Sequence, residues 1–169
     1  MDSGTLTLNA ASEVYNNLGT LSSGVTSILG GGIYLYADET DASSAHLVGG
    51  NIHNNEADFG GGVFTAWDAT LTGATLTDNL ASDSGGGDDG GGLYLYIADV
   101  NMDGGSATAN TGDLSGGGAW LDLSTLTVTV SDWGGGGTAN VAEDVTIAGG
   151  TGDTGYGTGA SFICDTDCR

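Results

Sequence analysis

The chain has 169 residues, enough for one domain with its own core, and contains 34 Gly, no Pro, 22 acidic residues and one basic residue. The formal net charge of −21 argues against nucleic acid and anionic lipid as partners, because no Lys or Arg cluster exists to neutralise phosphate. A hydrophobic content of 38% separates the chain from disordered acidic segments, and we therefore expect it to fold.

The carboxylates are scattered along the chain, a distribution typical of a solvated surface that attracts cations, Ca²⁺ above all. The excess of Asp with almost no Lys also resembles proteins adapted to high salt. No apolar run is long enough to span a bilayer. Residues 1–4 have neither the basic nor the apolar region of a signal peptide, so we expect no leader in this sequence.

A glycine triplet followed by an apolar and then an aromatic residue recurs along the chain, and this marker is the strongest signal in the sequence. The first three triplets are 30 residues apart, and the fourth follows after 26. A recurrence of about 20–50 residues is typical of solenoids and repeat arrays. The triplets occupy 30–32, 60–62, 90–92 and 116–118, and a degenerate fifth copy occupies 157–159.

A second, alternating segment follows each of the four glycine triplets, and a similar segment precedes the first; their β-branched residues predict strands. These segments are 5–8, 46–48, 70–72, 99–102 and 125–128. Gly and Asn at fixed offsets predict tight corners, and no segment has a helical period with caps. An Asn stands before the next glycine stretch in four places, and stacked copies would form an amide hydrogen-bond ladder: Asn17, Asn55, Asn79 and Asn110.

These features predict an all-β fold, a parallel β-solenoid of about five coils in which 1–169 is a single domain and 133–169 is an atypical C-terminal segment. Short strands between fixed turns cannot bury their apolar sides alone, so coils must stack about 4.8 Å apart. The absence of Pro agrees, because Pro removes a ladder donor. A β-sandwich is the alternative, but it gives no reason for the triplet to recur at regular steps.

The pattern Gly-Gly-Gly-[Ile/Val/Leu]-[Tyr/Phe], then Thr-Leu-Thr, then Asn-x-Ala resembles the β-helix repeats of polymorphic outer-membrane proteins and related bacterial secreted surface proteins. The similarity covers about residues 5–120 and is clearest over 69–81. The segment 132–168 is similar to the terminal segment of some such proteins. The resemblance implies a right-handed parallel β-helix, a surface location and passive roles, with no catalytic residues.

The two cysteines, Cys164 and Cys168, stand near the C-terminus. We expect a disulfide between them, which would close a small loop, contribute about 2 kcal/mol and indicate an oxidising, extracellular setting. A zinc site would need further ligands, and His46 and His53 lie far away in the sequence.

Aromatic residues occupy one side of the marker strands, since side chains alternate along a strand and the aliphatic residues take the other side. Stacking in register would bring the aromatic side chains into a column. If the aliphatic side is the core, the column forms an outward stripe that would bind a glycan or another copy. Alternatively, the aromatics point inward or are covered by a segment such as 37–45. The candidate interface or glycan-binding residues are Tyr34, Tyr36, Phe64, Tyr94, Tyr96 and Trp120.

Two acidic stretches, 38–41 and the glycine-rich 83–89, are candidates for calcium binding, because Ca²⁺ takes about six to eight oxygen ligands. The proposed ligands are Asp83, Asp88 and Asp89. Neither stretch matches an EF-hand, and solvated carboxylates are the alternative. Ca²⁺ is the one cofactor that the sequence suggests.

Catalysis is disfavoured by the residue types present. Many pectin-acting enzymes use β-helices, but a lyase would need a basic residue and Arg169 is the only Lys or Arg. A hydrolase would need two carboxylates about 5–10 Å apart, and nothing distinguishes a pair such as Asp99 and Asp103. Ice binding would need continuous Thr rows, which 46–48 and 99–101 interrupt.

The sequence therefore favours a non-catalytic structural or adhesive protein of the extracellular space or cell surface. Open solenoid ends would let copies stack into a homo-oligomer, a fibre or a surface layer. One alternative is a carbohydrate-binding adhesin module that uses the aromatic stripe, and a further, less favoured one is a polysaccharide-degrading enzyme.

Overall fold

The computed structural model describes residues 6–19, 27–36, 45–82, 90–113, 116–129, 132–133, 145–147 and 161–166, with the backbone alone at 145–147 and 164–166. Within these ranges every regular element is a β-strand, and the strands pair in parallel in four sheets. The predicted all-β class is confirmed. The described part of the chain contains no helix with the length and apolar character needed to cross a bilayer.

Two sheets of five strands form most of the structure. The marker sheet holds the strands β2 (Ile33–Tyr36), β6 (Val63–Ala66), β10 (Leu93–Tyr96), β14 (Ala119–Asp122) and β16 (Val145–Ile147). The second sheet holds β3 (Ala45–Val48), β7 (Ala69–Thr72), β11 (Asp99–Asp103), β15 (Thr125–Thr129) and β17 (Ser161–Thr166). In both sheets the spatial order of the strands follows their order in the chain.

Two smaller sheets complete the arrangement. The third sheet holds β1 (Glu13–Tyr15), β4 (Asn51–His53), β8 (Thr75–Thr77) and β12 (Ser106–Thr108). The fourth sheet holds β5 (Glu56–Ala57), β9 (Leu80–Ala81) and β13 (Thr111–Gly112). From β2 to β13 the chain visits the marker, second, third and fourth sheets in that order three times, and β14 to β17 add two further strands each to the marker and second sheets. We call each such passage a round.

The apolar residues of three sheets pack into one core. Along the second sheet, Leu47, Leu71 and Met102 lie in a single column, and each is buried. Ile52 and Leu76 form the matching column of the third sheet, while the aliphatic side of the marker sheet enters the same cluster. Alternation along each strand thus sends one side chain in two to a shared interior.

The 30-residue spacing of the first triplets is not the length of the repeat. Asn55 and Asn79 are stacked neighbours that are 24 residues apart. In the first round, residues 37–44 separate β2 from β3, whereas in the second round the extra residues lie between β9 and β10. Additions at two different corners therefore give the same marker spacing in successive rounds.

The glycine triplets stack backbone on backbone. Gly91 N donates to Gly116 O at 3.0 Å, and Gly92 N donates to Gly117 O at 2.9 Å. A Cβ on Gly92 would lie 2.6 Å from Gly118 O, well inside any real contact. The first glycine of this triplet, Gly90, has a φ of 66°, in the left-handed region that favours glycine. Glycine is thus required in one triplet because the backbone of the next triplet lies too close for a side chain.

Two predicted elements are placed differently. Leu6, Thr7 and Leu8 of the segment 5–8 belong to no strand, and Leu8 packs against the core instead. The degenerate marker 157–159 lies outside the described residues, and the strand after it, β17, pairs with β15 in the second sheet. The marker sheet ends at β16, which no triplet precedes. With no further round stacked on it in the described chain, this edge strand needs no glycine.

Two glycine substitutions separate steric crowding from backbone strain. Gly92→Ala is expected to lower the free energy of unfolding by about 3 kcal/mol or more, because the new Cβ meets stacked backbone. Gly73→Ala should cost only about 1–2 kcal/mol, because Gly73 has a φ of 64° but nothing within 4 Å of its Cβ position. Urea denaturation measures both, and an equal or smaller loss for Gly92→Ala would contradict the stacking.

Candidate functional site

The four asparagines singled out by the sequence form one column at the corner between the third and fourth sheets. Asn17 Nδ2 donates to Asn55 Oδ1 at 2.8 Å, and Asn55 Nδ2 donates to Asn79 Oδ1 at 3.0 Å. Asn79 Nδ2 continues the ladder to Asn110 Oδ1 at 2.9 Å. The side chains of Asn55, Asn79 and Asn110 are buried.

Each ladder amide also bonds to backbone. Asn79 Oδ1 accepts a second bond from Asn55 N at 3.2 Å, and Asn79 Nδ2 donates to Ile52 O at 2.9 Å. The residue before each ladder asparagine turns the chain with a left-handed φ, at Asn16, Asn54, Asp78 and Ala109. The ladder therefore satisfies polar groups that this corner would otherwise bury without partners.

The ladder has a direction and an open end. The Nδ2 of Asn17, Asn55 and Asn79 each donates to the ladder asparagine of the following round, so the Oδ1 of Asn55, Asn79 and Asn110 each accepts from the preceding one. Asn17 stands first and is exposed, and no described residue donates to its Oδ1. The N-terminal end of the ladder thus presents an acceptor.

The aromatic residues of the marker sheet also stack, on the side away from the aliphatic core. Strand pairing places Tyr34, Phe64, Tyr94 and Trp120 in one row. The Tyr34 and Phe64 rings stack with centroids 5.4 Å apart, and the Phe64 and Tyr94 rings with centroids 5.2 Å apart. Phe64, Tyr94 and Trp120 form a second hydrophobic cluster, separate from the main core.

Of the two alternatives that the sequence leaves open, an exposed stripe and covered aromatics, most of this row fits the second. Phe64 and Tyr94 are each only 6% exposed, so their rings offer no free face to a glycan. Tyr34 in the first round is 48% exposed. Partial burial, reinforced by the charge that Tyr36 would carry, raises the pKa of the Tyr34 hydroxyl above its ordinary value. Solvent reaches the aromatics mainly at Tyr34, Tyr36 and Tyr96.

The second marker departs from the first and third, because Ala66 and Trp67 follow Thr65 where Tyr36 follows Leu35 and Tyr96 follows Leu95. Trp67 is buried in the main core, and Ala66 takes the outward position that Tyr36 occupies in the first round. Thr65 stabilises this corner, because its Oγ1 donates to Trp67 O at 2.6 Å and accepts from Trp67 N at 3.1 Å. The outward row that contains Ala66 therefore has a small residue between two tyrosines.

The hydroxyl rows on the second sheet are interrupted. Thr70 pairs with His46 on one side and Asn101 on the other, while Thr72 pairs with Val48 and Asp103. The third sheet carries a shorter hydroxyl patch that was not predicted. In it, Thr75 pairs with Ser106 and Thr77 pairs with Thr108. The alternating Thr-Leu-Thr of 75–77 was the available signal.

The proposed metal and disulfide residues lie mostly beyond the described chain. Asp83, Asp88, Asp89 and Cys168 are outside it, and of Cys164 only the backbone, within β17, is described. His46 and His53 lie on different sheets. Among the described residues no group of three His, Cys, Asp or Glu side chains is placed to hold a metal ion.

Comparison of the chain with protein-family models, with curated proteins and with solved structures finds no match. Function must therefore be inferred from the ladder, the aromatic rows and the edges of the sheets.

The ladder predicts an asymmetry between two asparagines. Asn79→Ala should lower the free energy of unfolding by about 3 kcal/mol or more, because it leaves several buried hydrogen-bonding groups without a partner. Asn101→Ala, on the exposed face of β11, serves as the control and should change stability by no more than about 0.5 kcal/mol. Thermal or urea unfolding of both variants checks this, and similar losses at the two positions would be inconsistent with a ladder.

Proposed function

We propose that the chain is a parallel β-helix whose four sheets are the faces of one solenoid, and that it serves as a non-catalytic structural and adhesive protein outside the cell or at its surface. The repeated order of sheets supports the β-helix, as does the core cluster shared by three of them. The right hand of the helix is the one that the resemblance implies.

The observation that carries the structural role is that no described strand lies beyond the first strand of three sheets. β1, β2 and β3 are each the outermost strand of their sheet. Tyr34 is 48% exposed, whereas Phe64 in the next round of the same row is 6% exposed. Together with Asn17 Oδ1, to which no described residue donates, these edges offer the backbone and apolar surface that a further round would cover.

A second copy of the chain is the partner that fits this end. The marker sheet runs from β2 at one edge to β16 at the other, and the second sheet runs from β3 to β17. Because all pairs are parallel, copies placed head to tail would continue both sheets in the same direction. Such a contact uses different surfaces on the two copies and does not close on itself, so it generates a fibre.

Charge sets the conditions for this assembly. Two chains that each carry a formal charge of −21 repel one another, and salt reduces this repulsion as the Debye length falls to about 3 Å at 1 M. Ca²⁺ would act more strongly if Asp83, Asp88 and Asp89 bind it, as we propose. Assembly should therefore require high ionic strength or calcium.

Sedimentation velocity and electron microscopy at micromolar concentration test the proposal. We expect small particles at low salt, and elongated particles in about 1 M NaCl or in millimolar Ca²⁺. Tyr34→Asp, which adds a charge at the open end, should weaken assembly at least about tenfold, whereas Tyr96→Asp, two rounds further along, should not.

A monomeric, globular particle under every condition would contradict end-to-end assembly. The same holds if Tyr34→Asp and Tyr96→Asp weaken assembly to the same extent, because the contact would then not lie at the open end.

A further inference from the structure

We infer that the outer face of the marker sheet carries a saccharide-binding notch at Ala66, where one pyranose ring of a neutral polysaccharide fits between Tyr36 and Tyr96. This site goes beyond end-to-end assembly. It rests on the proposed β-helix only for the spacing of its stacked strands.

The notch is defined by two neighbouring rows of outward residues. In the inner row, Phe64 lies between Tyr34 and Tyr94, stacked on them at 5.4 and 5.2 Å. In the outer row, Tyr36 pairs with Ala66, and Tyr96 follows Leu95, which pairs with the residue before Ala66. Where the inner row has the ring of Phe64, the outer row has only a methyl group.

The size of the gap follows from the strand spacing. Neighbouring strands lie about 4.8 Å apart, so positions 36 and 96 are separated by about 9–10 Å. In the inner row the same separation accommodates one six-membered ring, that of Phe64. The outer row therefore has room for one ring supplied by a ligand.

Both walls of the notch are exposed to solvent, and the orientation of the Tyr36 wall follows from its neighbours. The Tyr36 ring lies within 4° of parallel to the Tyr34 ring, at a centroid distance of 6.1 Å. Since Tyr34 itself stacks on Phe64, the Tyr36 ring presents a face along the row, toward Ala66. Tyr36 is 58% exposed and Tyr96 is 43% exposed, so both side chains are accessible to a ligand.

A pyranose suits this geometry better than other flat groups. Its C–H bonds give it two apolar faces that pack against the tyrosine rings, and its hydroxyls point outward in the plane of the ring. Asp68 follows Ala66 by two residues and is exposed. One of its oxygens accepts from Asp99 N at 2.8 Å, and no described residue donates to the other, which remains available as an acceptor.

The apolar surface extends past the notch. Ile97 follows Tyr96, and Leu123 occupies the equivalent corner of the next round, with both side chains exposed. Their φ angles of 51° and 50° lie in the left-handed region, which is unusual for bulky residues and marks them as strained. The shelf they form beside Tyr96 would contact a second sugar unit of the same polymer.

The negative charge around the notch favours a neutral polysaccharide over an acidic one. Asp122 pairs with Tyr96 on the side away from Ala66, Asp68 follows Ala66 by two residues, and the whole chain carries a formal charge of −21. An acidic sugar would be repelled at this site, and so would a second copy of the chain approaching sideways.

Native gel electrophoresis through immobilised polysaccharide tests the inference, with hydroxyethylcellulose and laminarin as neutral probes and polygalacturonate as the acidic one. We expect retention by at least one neutral probe and none by polygalacturonate. Tyr36→Ala and Tyr96→Ala should each weaken binding about tenfold. Tyr15→Ala, which removes a similarly exposed tyrosine from β1, is the matched control and should leave binding unchanged.

Ala66→Phe is the sharpest variant, because it fills the notch with the ring that the inner row already uses. It should abolish retention while leaving the urea midpoint unchanged or higher. Retention that survives Ala66→Phe would overturn the inference, as would equal loss in Tyr15→Ala, retention by polygalacturonate, or no retention by either neutral probe.

Sedimentation of Ala66→Phe separates the two proposals. If the notch is a saccharide site, this variant still assembles in high salt or calcium, and a loss of assembly would identify the notch as a contact between copies instead. If the chain binds saccharide but never assembles, the saccharide site is supported and the proposed fibre is contradicted.

Discussion

The asparagine ladder and the glycine triplets depend on one another for space, and the rest of the structure depends on this packing. A Cβ on Gly92 would lie 2.9 Å from Asn110 Nδ2, and a Cβ on Gly62 would lie 3.0 Å from Asn79 Nδ2. The amide can reach the next round only because the third glycine of each triplet leaves room for it. The absence of a side chain at the third glycine and the hydrogen bonds of the ladder therefore constrain the same packing between rounds.

This constraint fixes the register between rounds. A shift of one residue would bring side chains against the glycine column and would leave buried ladder amides without partners. The register in turn stacks Tyr34, Phe64 and Tyr94, and it leaves Ala66 between the positions of Tyr36 and Tyr96. Both proposed surfaces, the open end and the notch, therefore follow from contacts made away from them.

Much of the fold can be predicted from the sequence, because the same residue types recur at corresponding positions of successive rounds. Alternation in the marker strands assigned Leu93 and Leu95 to one side and Tyr94 to the other, and the structure has them so. The repeated Asn positions indicated a stacked corner. The third and fourth sheets were harder to recognise, since strands as short as Glu56–Ala57 carry almost no periodic signal.

The candidate site was less accessible for physical reasons. The sequence could align the aromatics but could not say which of them are covered, since exposure depends on packing from other parts of the chain. Ala66 cannot be recognised as part of a site from the sequence, because the gap is defined only once Tyr36 and Tyr96 are placed on either side of it. The equal spacing of the first triplets also concealed a shorter repeat, because additions at different corners compensate.

Native-state hydrogen exchange of the Asn55 and Asn79 backbone amides tests the central claim most directly. Each amide donates to the Oδ1 of the next ladder asparagine, at 3.2 and 3.1 Å, from a corner that would otherwise exchange readily. If the ladder holds the rounds together, both amides exchange only through global unfolding, as slowly as the amide of Leu71 in the core. Exchange at the rate of an exposed turn would contradict the account.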